Sequence, residues 1–302
     1  MSENNVSDSP GKLVILGHTG FVGGRLYKYF SNKGIFSSVV GISSRNIDLE
    51  APGNFLELSK KLDAETTVIM CSGIKSNFGN NVENYISNVR MVENVVKAIQ
   101  LSPVKRFVFL SSIAVYGVYC DNGSISEDSK LVPDTYYGLS KQVSENLLKL
   151  AFKDEDSTKL VLLRIPTIYG PNEKIRVETP SGFMVTYMLN EQVTLYGDGS
   201  EKREFLFIDD LENMLYGLCF NNHFGPLNPS NGHGESYIDA LNVVSDILKS
   251  DIKINFTERT MSKIDKVYDG ALYQSIFPDF RFTSLKDGLK IVYALQRNDR
   301  SP

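Results

Sequence analysis

From Lys12 onward, short apolar runs alternate with stretches whose apolar residues recur at helical spacing. KLVILG is such a run, GHTG breaks it, and FVGGRLYKYFSNKG carries a helical pattern that stops at Gly34. SSVVGIS, TVIMCSG, KRFVFLSS and KLVLLRI read as further strands, and the segments at 54–62, 82–100 and 136–153 between them read as helices. Strands separated by helices pair in parallel, because the crossover must be long, and parallel sheets are covered on both faces. The predicted fold class is α/β, an open doubly wound parallel sheet.

Past Ile165 the rhythm degrades. RIPTIYGPNEKIRVETPSG reads as loop, a helix fits 181–190, and VTLYGDGSEKREFLFIDDLENMLYGLCF mixes a turn, a strand and a capped helix. Helical patterns at 236–249 and 284–296 flank KINFTE, a predicted strand. The expected organisation is a disordered tail at 1–10, a dinucleotide-binding region at 11–165 that also receives part of 205–235, and a smaller mixed region at 166–302. The last would cover the carboxyl edge of the sheet, where ligands bind in such folds, and hold the substrate.

Charge and composition narrow the function classes. The chain of 302 residues carries 32 basic against 36 acidic side chains and no basic block, which gives no support to nucleic-acid binding. No apolar stretch is long enough to span a membrane, and MSENNVSDSP lacks the basic start and apolar run of a signal peptide, so a cytoplasmic protein is expected. Cys71, Cys120 and Cys219 lie far apart with no C-x-x-C pair, and His18, His223 and His233 have no metal-ligand spacing. Neither a disulfide framework nor a metal site is predicted.

Gly17, Gly20 and Gly23 follow the first strand and open the first helix with the spacing G-x-x-G-x-x-G. A strand-to-helix turn beside a pyrophosphate needs residues without a Cβ, and the helix N-terminus offers amide donors and a positive dipole end. Gly17, Thr19, Gly20, Phe21, Val22 and Gly23 are the candidate cradle. At the end of the second strand, where an NAD site usually carries an acidic residue, stand Ser43, Ser44 and Arg45. Hydroxyls and a guanidinium can hold a 2'-phosphate that a carboxylate would repel, so NADP is favoured, with NAD as the alternative.

Tyr137 and Lys141 stand four apart in TYYGLSKQVSENLLKL and share one helix face, whereas Tyr136 points elsewhere. A nearby ammonium favours the phenolate, which suits Tyr137 to proton transfer to or from a carbonyl or alcohol. Ser112, at the carboxyl end of KRFVFLSS, is placed to orient the reacting oxygen.

Together these segments resemble the extended short-chain dehydrogenase/reductase family, the group of nucleotide-sugar epimerases, dehydratases and 4-keto-reductases. The resemblance runs through GHTGFVG, SSIAVYG, YYGLSK with 25 residues from Ser112 to Tyr137, LRIPTIYGPN and REFLFIDDL. It implies a Rossmann-type sheet, a nicotinamide dinucleotide, a nucleoside diphosphate sugar and a homodimer. By position it implies Ser112, Tyr137 and Lys141 as catalytic. Cys71, Ser72, Gly73, Lys75, Ser111, Tyr137, Lys141 and Ile165 join the cofactor contacts, and Ile113, Thr167 and Arg203 join Ser112 as substrate contacts. Arg203 corresponds to an arginine on the nucleotide phosphates, a fit for a guanidinium fork.

Departures from the family pattern narrow the chemistry. Where 4,6-dehydratases carry an Asp-Glu pair after the serine or threonine, this chain has Ile113 and Ala114, neither of which moves a proton. The cysteine of epimerising reductases similar to fucose synthases is also missing at 113. Thr167 stands where many relatives have asparagine, and Cys71 and Ser72 replace two alanines. The remaining readings are a 4-keto-reductase, which the Ser43–Arg45 loop favours, a 4-epimerase with tightly bound NAD, and a non-catalytic dinucleotide-binding module.

Overall fold

The computed structural model describes residues 11–118, 125–153, 158–171, 173, 179–189, 192–259 and 263–298; the tail at 1–10 and Cys120 lie outside them. In chain order the elements begin with β1 (Lys12–Leu16), α1 (Phe21–Lys33), β2 (Ser38–Ile42), α2 (Phe55–Ser59), β3 (Thr67–Met70), α3 (Val82–Leu101), β4 (Arg106–Ser112), α4 (Tyr136–Ala151) and β5 (Lys159–Ile165). They continue with β6 (Thr167–Tyr169), α5 (Pro180–Met188), β7 (Val193–Tyr196), β8 (Lys202–Arg203), β9 (Phe205–Phe207), α6 (Ile208–Phe220) and β10 (Gly225–Leu227). Last come β11 (Glu235–Ser236), α7 (Tyr237–Leu248), β12 (Ile254–Thr257), α8 (Ala271–Ile276) and α9 (Leu285–Asn298). Two compact units share these elements: Met1–Tyr119 with Lys130–Arg164 and Tyr216–Leu227, and Cys120–Ser129 with Ile165–Leu215 and Asn228–Pro302.

The first unit is built on a six-stranded sheet in the order β10-β5-β4-β3-β1-β2. β1 pairs in parallel with β2 and β3, β3 with β4, and β5 with β10, as the strand-helix alternation predicts. The interior strands β3 and β4 are buried at every position, which is why they read as unbroken apolar runs. On one face Leu58, Met91, Val92, Val95, Ala98, Ile99 and Leu148 from the helices pack on Val14, Leu16, Val68, Met70, Phe107 and Phe109. Each such side chain contributes roughly 1.5–3 kcal/mol when fully buried. α1 ends because Gly34 adopts a left-handed conformation with φ 61°. The order reverses between β1 and β3, with β2 on one side of β1 and the later strands on the other. That places a crevice at the carboxyl ends of these two strands.

The sequence pattern missed β6 and β10, each three residues long, and α8. Gly225, Pro226 and Leu227 form the sheet's edge strand, a position that tolerates a proline without an N–H. The predicted helix at 54–62 shrinks to α2, with Lys61 N–H turning back to the Leu58 carbonyl.

The second unit combines short ladders with helices. β6 pairs in parallel with β9, β7 with β12, and β8 antiparallel with β11. Phe183, Val193, Leu195 and Leu241 form a small core there. Its helices are capped locally: Thr179 accepts from Gly182 N–H before α5, and Ser236 from Asp239 N–H before α7. Asp210 on α6 accepts from both the N–H and the hydroxyl of Thr283 at 2.8 Å, tying α6 to the stretch before α9.

Candidate active site

The glycine turn after β1 is a cradle that a side chain would fill. Gly17 has φ 87°, and a Cβ there would sit 2.9 Å from the Ser72 nitrogen; a Cβ at Gly23 would overlap the Gly17 carbonyl. The two glycines thus let α1 start directly against the end of β1 and let the loop after β3 close over the turn. Gly20 caps α1 without a side-chain hydrogen bond, and the first turn holds no acidic residue. Thr19 is exposed, Phe21 half-buried and Val22 buried. These features fit a dinucleotide, whose pyrophosphate needs close backbone approach and the positive end of a helix.

The loop after β2 is shaped by Asn46, whose side chain accepts from Ser43 N–H at 2.7 Å and donates to the Gly41 carbonyl at 3.0 Å. Ser43 is buried, while Ser44 and Arg45 are exposed. Gly41 itself makes room for the His18 ring, which packs 5.4 Å from Tyr27.

The loop after β3 is held by a residue that the sequence reading did not single out. Asn88 on α3 accepts from Ile74 N–H at 2.7 Å, donates back to the Ile74 carbonyl at 2.9 Å, and donates to the Ser140 hydroxyl at 3.2 Å. Ser140 in turn donates to the Tyr137 carbonyl at 2.7 Å. One amide therefore fixes the Cys71-Ser72-Gly73-Ile74-Lys75 loop to α4. Gly73 leaves space for Lys141, whose Nζ would lie 3.5 Å from a Cβ there.

Lys141 is buried, donates to the Leu110 carbonyl at 2.7 Å, and lies 4.5 Å from the Phe109 ring centroid and 5.9 Å from that of Tyr137. Burial first, and the Lys75 charge second, bring its ammonium down to about 8, while Cys71 and Glu145 act in the opposite direction. Burial pushes the Cys71 thiol up to about 12, so it is no nucleophile at neutral pH. Tyr137 is partly buried, whereas Tyr136 is 44% exposed.

Ser112 ends β4 and caps the single helical turn Ile113–Tyr116, accepting from Ala114 N–H at 3.1 Å. That bond uses one acceptor lone pair of the hydroxyl and not its hydrogen. Gly138, next to Tyr137, has no Cβ to strike the Ala114 carbonyl, so α4 packs closely on the turn that Ser112 caps. Ser111 points to the other side of the strand, as alternation requires, and donates to Glu145 Oε1 at 2.6 Å. Its hydroxyl is committed to the interior, so any cofactor contact from this position falls to its backbone. Behind it Glu145 and Arg164 form a buried ion pair at 2.8 Å. An Arg inside the apolar run KLVLLRI and a Glu one turn beyond Lys141 were the sequence signals for this pair.

The other expected contacts lie in the second unit. Ile165 is half-buried, and Thr167 opens β6 opposite Phe205. Arg203 donates to the Ile264 carbonyl at 2.6 Å, pairs with Glu201 at 3.2 Å, and lies 5.7 Å from the Tyr237 ring centroid. Beside it, Glu204 accepts from Ser230 Oγ at 2.8 Å and Tyr268 N–H at 2.7 Å, and burial pushes its carboxyl up to about 7. Among the described residues no group of three or more His, Cys, Asp or Glu is placed to hold a metal, and no helix is long and apolar enough to cross a membrane.

Comparison with known proteins bears on the fold and the family. An uncharacterized UDP-glucose epimerase of Bacillus subtilis is 24% identical over 221 residues, 72% of this chain and 69% of the relative. A dTDP-4-dehydro-6-deoxy-D-allose reductase of a Streptomyces species is 25% identical over 209 residues, 65% of this chain and 62% of the relative. The structure of the UDP-glucose 4-epimerase of Thermotoga maritima with UDP-glucose superposes with a TM-score of 0.83 at 18% identity, covering 96% of this chain and all of that one. The sequence model of the NAD dependent epimerase/dehydratase family matches residues 13–238, and with its Rossmann-type sheet, glycine cradle and Ser112, Tyr137 and Lys141, the chain belongs to that family.

Proposed function

We propose that the protein is an NADP-linked oxidoreductase that reduces the C4 keto group of a nucleoside diphosphate 4-keto-6-deoxyhexose. The observation that carries the cofactor choice is the loop after β2. Ser43, Ser44 and Arg45 follow β2, where the fold would bring the adenosine ribose, and Arg45 is exposed, so its guanidinium could hold a 2'-phosphate. Gly17, Gly20 and Gly23 would hold the pyrophosphate, and the loop Cys71-Ser72-Gly73-Lys75 would flank the nicotinamide half. When bound, the dinucleotide supplies the hydride for the keto carbon. Tyr137 gives its phenolic proton to the carbonyl oxygen, Ser112 donates a hydrogen bond to that oxygen, and the Lys141 ammonium eases formation of the phenolate. The tyrosine is then reprotonated from solvent. Arg203 binds the diphosphate of the substrate, with Ile113 and Thr167 contacting the sugar.

A second reading, a 4-epimerase holding NAD, is favoured by the epimerases among the relatives. The same three side chains serve it, with Tyr137 first taking and then returning the proton. Val82, Ile86, Leu139 and Leu150, apolar and exposed on α3 and α4, support a homodimer through these helices.

The test is to mix the protein with NADPH and a panel of nucleoside diphosphate 4-keto-6-deoxyhexoses, and separately with NAD and UDP-hexoses. Loss of NADPH absorbance with formation of the reduced sugar is the expected result. Conversion of a UDP-hexose to its C4 epimer without net redox change would install the second reading. No turnover with either set, despite dinucleotide binding, would leave a binding module.

A further inference from the structure

The buried Glu145–Arg164 pair of the first unit lies behind the site, not in it. Glu145 Oε1 accepts from Ser111 Oγ at 2.6 Å and from Arg164 Nε at 3.0 Å, and Oε2 accepts from Arg164 Nη2 at 2.8 Å. Arg164 Nη1 donates to the Tyr116 hydroxyl at 2.8 Å, and the guanidinium lies 5.1 Å from that ring's centroid. Side-chain exposure of the pair is 2% and 0%. Taking two such charges out of water is costly, and apolar side chains of similar volume often serve stability as well or better. What the pair adds is geometry, because a bidentate guanidinium-carboxylate contact fixes both distance and plane.

Each tether of this network ends beside a residue of the proposed chemistry. Ser111 is the neighbour of Ser112 on β4, and Leu110, one residue earlier, gives its carbonyl to Lys141. Tyr116 ends the helical turn that Ser112 caps. Glu145 follows Tyr137 and Lys141 at successive four-residue steps on α4, so all three share one face. Arg164 precedes Ile165 at the end of β5.

We infer that the Glu145–Arg164 pair, with Ser111 and Tyr116, is a positioning hub that sets the separation between α4 and the end of β4, and through it the placement of Lys141 beside Tyr137. The inference rests on the proposed roles of Tyr137 and Lys141, but it concerns their geometry and can be read without turnover. The groups facing Lys141 are Cys71 and Lys75 from the loop after β3, Phe109 and the Leu110 carbonyl from β4, and Tyr137 and Glu145 on its own helix. Losing the hub lets the Lys141 ammonium, held by the Leu110 carbonyl, drift from the Tyr137 ring. A more distant ammonium makes the Tyr137 phenolate harder to form.

The experiment is a titration of phenolate absorbance for the whole chain, with the Tyr137→Phe variant of each background subtracted so that only Tyr137 is read. The backgrounds are wild type, the double variant Glu145→Met/Arg164→Met, and Ser111→Ala. A merely structural pair would shift the melting temperature and leave the Tyr137 midpoint alone. The hub predicts a midpoint raised by roughly half a unit or more in the double variant, within the range that loss of a nearby charge produces. A cooperatively folded double variant with an unchanged midpoint overturns it. Should the double variant not fold, Ser111→Ala decides: it keeps the ion pair and removes only the tether to β4, and an unchanged midpoint there overturns the inference equally. No cofactor or substrate enters the measurement, so its outcome is separate from that of the turnover assays.

Discussion

The two units hold their candidate residues by different means. In the first, Ser112 and Lys141 are buried at the ends of a seven-residue strand and inside a sixteen-residue helix, fixed by the Leu110 carbonyl, Ala114 N–H and Asn88. In the second, Thr167 and Arg203 sit on strands of three and two residues and are only partly buried. Long buried elements tolerate little change, because any shift is felt through close packing. Short ladders at the surface can be remodelled at small cost. The proposed division of labour follows: proton transfer is placed by the rigid unit, and substrate choice by the adaptable one.

The largest expected effect strikes the rigid unit. Arg164→Met leaves Glu145 buried without its partner and should lower stability by about 3–5 kcal/mol in urea denaturation. Arg203→Met, at a partly exposed pair held at 3.2 Å, should cost less, on the order of 1 kcal/mol. Equal losses would erase the contrast. Next, Tyr137→Phe should lower kcat by roughly 10²-fold while the dinucleotide still binds in calorimetry, as expected for losing a positioned general acid; an unaltered kcat would remove Tyr137 from the mechanism. A smaller effect is expected at the β2 loop. Arg45→Ala should weaken NADP binding by about tenfold and leave NAD binding as it was, the loss of one charge-assisted contact.

The pH responses separate the units most finely. The Lys141 ammonium titrates near 8 when folded and near its ordinary 10.5 when unfolded, so the unfolded chain binds the extra proton between those values. Its contribution to stability therefore rises with pH through that window, while turnover falls above about 8 as the charge beside Tyr137 is lost. Glu204 in the second unit behaves oppositely: its folded carboxyl titrates near 7 against 4.5, so its contribution is present at low pH and lost as pH rises from 4.5 to 7. Denaturation at pH values across both windows, with Glu204→Gln as control, should show the second slope vanish and the first persist.

The sequence made the first unit legible for a physical reason. β1, β3, β4 and β5 are buried strands and hence continuous apolar runs, and the glycine turn, the Tyr137–Lys141 spacing and Ser112 at a strand end each carry local chemistry. β6 and β10 were not legible because three residues hold no period, and Gly225-Pro226 reads as a turn until the edge position in the sheet is known. Asn88, Glu145 and Arg164 escaped notice because their partners are distant in sequence, although a polar residue on a face otherwise made of Met91, Val92 and Val95 was the available sign. In the second unit helix signals served well, and α5 begins within one residue of the predicted 181. The commitments of Arg203 to Ile264 and of Glu204 to Tyr268 depend on a chain return some sixty residues later, which no local pattern encodes.

The most direct test of the account is to strip the purified protein of any bound dinucleotide, identify what is released, and titrate the remainder with NADP and NAD by calorimetry. The account predicts that both bind in the first unit's cradle, that NADP binds more tightly, and that Arg45→Ala abolishes the difference. Tightly held NAD with no gain from the 2'-phosphate would contradict the reductase proposal, and binding of neither would contradict the reading of the cradle itself.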